Sequence, residues 1–146
     1  SMMMTTSHPL SMMAALLLFV FIQICRAEEA LSTGEYVKDF VQSKIDGHEV
    51  MVFAKSYCPY CKKTKYLLTE MQEHVDVEVE YLNLDTLQGN DGPLIQSALQ
   101  ELTGQRTVPN IFIAHEHVGG NSDIQQLNAV GKLEDMLLEA SGGAEL

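Results

Sequence analysis

Six residues, Ser56-Tyr57-Cys58-Pro59-Tyr60-Cys61, constrain this chain more than any other stretch. They set two cysteines three positions apart, between an apolar run and a segment of helical periodicity. The run Val50-Met51-Val52-Phe53-Ala54 is apolar without alternation and has two β-branched residues, so it reads as a strand covered on both faces. After the pair, Cys61, Thr64, Leu68, Met71 and Val75 recur every three or four residues, as on the buried face of a helix. Proline suits a first helical position, which has no intrahelical N–H bond to lose and wants its fixed φ. Pro59 thus opens the helix and Cys58 sits at its tip, where unpaired N–H groups and the positive end of the dipole favour thiolate over thiol. Cys58 is the expected nucleophile, and Cys61, one turn in and facing the core, its resolving partner.

Other uses of such a pair compete with this one. A zinc site needs four ligands, and no second Cys pair exists; His115-x-His117 is spaced more tightly than zinc-binding histidines usually are. No metal is expected. A static disulfide remains open, although nothing else in the chain requires a staple.

Two further motifs follow at fixed order and distance, Thr107-Val108-Pro109 and Gly119-Gly120-Asn121-Ser122-Asp123. Together with Lys55-Ser56-Tyr57-Cys58-Pro59-Tyr60-Cys61 they resemble a dithiol glutaredoxin of the Cys-Pro-Tyr-Cys type, over roughly residues 30 to 140. A thioredoxin would be expected to carry Gly-Pro between the cysteines.

The chain has 146 residues, enough for one core and a leader, and a formal charge of −11 that disfavours a nucleic-acid partner. Its few cations are unevenly placed, with Lys55, Lys62, Lys63, Lys65 and Arg106 in or near the three motifs. Ser1, ahead of Met2, reads as a cloning remnant. Residues 10–24 are apolar apart from Ser11 and Gln23 and lead to Cys25-Arg26-Ala27 before Glu28-Glu29. That is the layout of a secretory signal peptide cut after Ala27, although no Lys or Arg precedes it. The chain then divides into 1–27 and a domain over 28–146, bound for the secretory pathway or the exterior. A membrane-anchored form with an uncut leader and a cytoplasmic form are the alternatives.

Within the domain, Ser32-Thr33-Gly34-Glu35 reads as a capping box before a helix whose stripe is Tyr36, Val37, Phe40, Val41 and Ile45. Val77, Val79 and Tyr81 alternate with Glu78 and Glu80 as a strand, completing a parallel β-α-β unit. Pro93 opens a helix with stripe Leu94, Ile95, Ala98, Leu99 and Leu102, stopped by Gly104. A hairpin over 111–118, a helix from Ser122 or Asp123, a helix over 132–140 and a frayed tail over 141–146 finish the chain. This order gives an α/β, thioredoxin-like fold: a four-stranded mixed sheet flanked by helices.

The resemblance implies a glutathione site. Lys55, Arg106 and Gln96 would contact carboxylates. A cis Val108–Pro109 bond, with Thr107 before it, would turn the Val108 backbone toward the substrate peptide, and Gly120, Asn121, Ser122 and Asp123 would receive the γ-glutamyl end at a helix N-terminus. Tyr60 would pack on the bound molecule. Many dithiol relatives carry a further cysteine where Asn121 stands, so Cys58 and Cys61 are the only redox pair once the leader is gone. The implied function is glutathione-dependent thiol-disulfide oxidoreduction, with glutathione as co-substrate, glutathionylated or disulfide-bearing proteins as partners, and a monomeric enzyme. A dimer holding a glutathione-ligated [2Fe-2S] cluster and a secretory oxidase or isomerase of client disulfides are the alternatives. His48, His74, His115 and His117 are given no role.

Overall fold

The computed structural model describes residues 9–142, without the side chains of Pro9 and residues 29–32. Residues 1–8 of the expected leader and 143–146 of the expected tail lie outside the described residues. The chain forms two units, one up to Tyr36 and one from Val37 onward.

The first unit is helical. Helix α1 (Pro9–Asp46) begins here, and Leu10, Leu16, Leu17, Phe19 and Phe21 stand exposed along it. Among the described residues it is the one helix long and apolar enough to cross a membrane, with a mean hydropathy of 2.0 over its most apolar window. The expected helix start at Ser32 is not observed, because the backbone stays helical through Gly34. One glycine costs a helix only about 1 kcal/mol relative to alanine, less than the flanking helix formers supply.

The second unit holds the core. Strands β1 (Val50–Ala54), β2 (Val79–Asn83), β3 (Asn110–Ile113) and β4 (Glu116–Gly119) form one sheet in the order β2-β1-β3-β4. β2 runs parallel to β1, as a strand joined to it by a crossover helix must. β3 is antiparallel to both β1 and β4. The helices are α2 (Pro59–Gln72), α3 (Asp91–Thr103), α4 (Asn121–Ala129) and α5 (Lys132–Ala140).

Alternation along β1 divides the core into two layers. Val50, Val52 and Ala54 pack with Ile111, Ile113, Leu67, Leu68, Ile124, Leu133 and Leu137 from β3, α2, α4 and α5. Met51 and Phe53 pack on the other face with Phe112, Ile95, Ala98, Leu99 and the last turns of α1, Val41 and Ile45. All five residues of β1 are buried, as its unbroken apolar run predicts. Two expected core residues are surface residues instead: Tyr36 is 72% and Leu102 52% exposed. In α3, which starts at Asp91, two residues before Pro93, the buried residues are Gly92, Ile95, Ala98 and Leu99, the face that packs on Leu84, Phe53 and Phe112.

Candidate active site

The carboxyl end of β1 delivers the chain into Lys55-Ser56-Tyr57, and Cys58 is the N-cap of α2 with Pro59 in its first turn. The Cys61 N–H, otherwise an orphan of that turn, donates to Cys58 Sγ at 3.2 Å. The sulfur thus sits where the helix places its unpaired donors. Cys58 and Cys61 are free thiols, 8% and 6% exposed, whereas the neighbouring rings of Tyr57 and Tyr60 are exposed.

The two thiols differ in environment. Burial, a hydrogen bond with Cys58 and the nearby Cys58 charge push the Cys61 thiol up to about 12. Cys61 therefore keeps its proton at neutral pH. The loop ahead of the pair is anchored by Asp85, on a 3-10 turn (Leu84–Thr86) after β2. Its carboxylate accepts the Ser56 N–H at 2.8 Å and the Ser56 hydroxyl. These bonds, then the Lys55 charge, hold the exposed Asp85 carboxyl below its usual range.

Facing the sulfurs is an open pocket of about 490 Å³, lined by Tyr60, Gln105, Thr107, Val108, Pro109, Gly120, Asn121, Ser122 and Asp123. The Val108–Pro109 bond is cis. The Val108 carbonyl oxygen lies 3.8 Å from Cys58 Sγ, so this loop borders both sulfur and pocket. On the opposite wall, α4 begins at Asn121, and its first-turn N–H groups have no acceptor within the helix. Asp123 Oδ2 accepts the Gly120 N–H at 2.8 Å and so closes the corner. Asn121 Oδ1 accepts the hydroxyl of fully buried Thr64 at 3.1 Å, tying α4 to α2.

Eight of the eleven expected binding residues line this pocket; Lys55, Gln96 and Arg106 do not. The Gln96 amide donates to the Arg106 carbonyl at 2.7 Å, and the Arg106 guanidinium reaches Gln100 Oε1 at 3.4 Å. Lys55 is half-buried beside Asp85.

Gln105 is the residue that sequence reasoning missed. Its Nε2 donates to the carbonyls of Thr107 at 3.1 Å and Pro109 at 3.0 Å, on either side of Val108. The Gln105 carbonyl accepts from buried Asn110 at 3.4 Å, and Asn110 Oδ1 pairs with His117 Nε2 at 2.9 Å. Burial lowers the His117 pKa against the opposing pull of Asp123. The only sequence signal was position: Gly104 ends α3, leaving Gln105 first in the return loop.

A sulfur nucleophile, a protonated second thiol and a pocket with unpaired N–H groups can together hold an anionic peptide thiol in line for disulfide exchange. Comparison with known proteins agrees. The family model described as Glutaredoxin matches residues 50–118. Glutaredoxin-C4 of Arabidopsis thaliana is 38% identical over 142 residues, 97% of this chain and 98% of that protein. Glutaredoxin-1 of Saccharomyces cerevisiae is 41% identical over 105 residues, 72% of this chain and 90% of its own length. Among solved structures, a buckwheat glutaredoxin in complex with glutathione superposes with a TM-score of 0.68 at 34% identity, covering 75% of this chain and 94% of that one.

Proposed function

The chain belongs to the glutaredoxin family and is a glutathione-dependent thiol-disulfide oxidoreductase, and from that premise we propose that it reduces protein–glutathione mixed disulfides through Cys58 alone and protein disulfides through Cys58 and Cys61. The observation that carries this reading is the Cys58 sulfur at the head of α2, beside the Val108 carbonyl and the open pocket.

In the first route the Cys58 thiolate attacks the glutathione sulfur of the mixed disulfide. A Cys58–glutathione disulfide bond forms, the S–S bond between glutathione and the client cysteine breaks, and the client leaves as a thiolate that takes up a proton. A second glutathione thiolate then attacks the bound glutathionyl sulfur, releasing oxidised glutathione and the Cys58 thiolate. In the second route Cys58 attacks a client disulfide and displaces one client sulfur. Cys61 gives up its proton, attacks Cys58 Sγ and releases the client dithiol, leaving a Cys58–Cys61 disulfide for two glutathiones to reduce. The first route never requires the buried thiol to ionise.

Bound glutathione would pair its peptide backbone with Val108 and set its γ-glutamyl carboxylate on the first-turn N–H groups of α4. The N–H groups of Ser122 and Asp123 serve there, since the Asp123 carboxylate already caps Gly120. The ring of Tyr60 covers the ligand. Lys55, Gln96 and Arg106 would turn toward its other carboxylate, Gln96 and Arg106 exchanging their present bonds for charge-assisted ones.

We expect Cys58→Ser to abolish both activities, and Cys61→Ser to lose protein-disulfide reduction while keeping deglutathionylation within about threefold. Measured with a glutathione-coupled assay on one mixed disulfide and one protein disulfide, loss of both activities in Cys61→Ser would refute this division of roles.

We also propose that residues 10–24 direct the chain into the secretory pathway and are removed after Ala27. The exposed apolar helix near the N-terminus supports this. Mass analysis of the secreted form should find Glu28 at its N-terminus; an intact chain in the membrane fraction would identify an anchor instead.

A further inference from the structure

A strip of positive charge runs away from the sulfurs along α2. Residues 55–69 hold four of the nine Lys and Arg residues and none of the twenty Asp and Glu. This runs against what the helix itself favours, because cations near a helix N-terminus oppose the macrodipole and anions there support it. The first turn of α2 has no acidic residue, and Lys62 and Lys63 follow directly. Helix stability does not explain lysines in these positions.

What they border is a groove of about 440 Å³ between α2 and α4, lined by Lys62, Lys63, Tyr66, Leu67, Glu70, Gln125 and Asn128. Its upper end adjoins the glutathione pocket, since Tyr60 of the pocket lies one turn before Lys63 and α4 contributes to both. Lys63 Nζ lies 5.3 Å from the centroid of the Tyr60 ring, bridging the two sites. Tyr66 is 69% exposed, an aromatic surface with no occupant among the described residues. At 1.5 Å per residue, Tyr60 to Glu70 spans roughly 15 Å, the length of four or five extended residues. The one carboxylate of the groove, Glu70, stands at its far end.

We infer that this groove docks an acidic, extended segment of the client protein, adjacent to the client cysteine whose mixed disulfide lies at Cys58. Lys62 and Lys63 face the client carboxylates, Tyr60 and Tyr66 cover its backbone, and Gln125 and Asn128 supply neutral hydrogen-bonding groups from α4. The assignment rests on the proposed reduction of glutathionylated proteins and adds the class of protein preferred. In a chain of net charge −11, an acidic client would otherwise be repelled.

The test uses three peptides with the same glutathionylated cysteine, flanked by Asp and Glu, by Asn and Gln, or by Lys. At low ionic strength the wild-type chain should show kcat/KM about tenfold higher for the acidic peptide than for the neutral one, with the basic peptide slowest. The ratio should fall toward one in 0.5 M salt and in the double variant Lys62→Gln, Lys63→Gln. Each peptide carries the same glutathione, so any effect of the lysines on glutathione or on the sulfur cancels in the ratio. Equal rates for acidic and neutral peptides in the wild type, or a preference that survives in the double variant, would overturn the docking site. If no peptide is turned over, the proposed activity fails instead. Docking is then read from the fluorescence anisotropy of an acidic unmodified peptide, whose affinity should drop about tenfold in the double variant; unchanged affinity refutes it.

Discussion

Gln105 gives both protons of its side-chain amide to the carbonyls of Thr107 and Pro109, so one side chain fixes the loop that presents Val108 to the pocket. A Cβ built on Gly120 would lie 3.8 Å from the same nitrogen, which places this amide between the two walls. Losing two such bonds costs about 1 to 3 kcal/mol, and the cost falls on binding because the sulfur is held by α2 instead. Gln105→Ala is therefore expected to raise KM for a glutathione-bearing substrate roughly tenfold with kcat within about threefold. Gln105→Glu, nearly the same shape, should do worse than alanine, because its carboxylate faces two carbonyl oxygens with no proton to give. Steady-state kinetics on both variants checks this; a glutamate variant equal to wild type would show that the two bonds do not matter.

Between elements, the joint that matters most for the site is the contact of α3 with the 3-10 turn carrying Asp85. Gly92 sits so close that an added Cβ would lie 2.2 Å from the Leu84 carbonyl oxygen, and this is backbone that cannot rotate aside. Gly92→Ala should destabilise the domain by about 1 to 3 kcal/mol in urea unfolding. It should also lower kcat/KM where the protein is still folded, because Asp85 is next to Leu84 and anchors Ser56. A variant less stable but fully active would uncouple the two. None of this is legible in sequence: Ser56 and Asp85 are 29 positions apart, and Gly92 reads only as a loop residue ahead of Pro93. What could be read was local. The unbroken apolar run gave β1, proline after cysteine gave the head of α2, and the cis bond at Pro109 followed only from family resemblance. Periodicity misplaced Tyr36 and Leu102, since an apolar residue at the margin of a stripe gives no sign of whether a neighbour covers it. The burial of Thr64 could be read from helical spacing, but its partner Asn121, 57 positions on, could not. Gln105 escaped although its partners are two and four residues away, because an aperiodic loop does not show which carbonyls its turn brings together.

At the scale of the whole molecule, two buried acids on neighbouring parts of the core tie stability to alkaline pH. Cys61 is pushed from an ordinary 9.0 to about 12, by burial first and by Cys58 second. Tyr81 is pushed from 10.0 to about 12 by burial, and among the described residues its hydroxyl is the one buried side-chain polar atom without a hydrogen-bond partner. A folded pKa above the unfolded one means that the native state holds its proton more tightly. The associated stability is fully present below the unfolded pKa and is lost as pH rises toward the folded one, from 9 to about 12 for Cys61 and from 10 to about 12 for Tyr81. Thermal unfolding should thus be insensitive to these groups near pH 7 and shift to lower temperature above pH 9. Tyr81→Phe removes the second contribution and also the unpartnered hydroxyl, so it should raise Tm near pH 7 by about 2 to 8 °C and flatten the upper part of the alkaline limb. Cys61→Ser should flatten the limb from its lower end, near pH 9, where tyrosine has barely begun to titrate. Tm followed from pH 7 to 11 separates the two, and an alkaline limb unchanged in both variants would mean that neither proton is held by the fold.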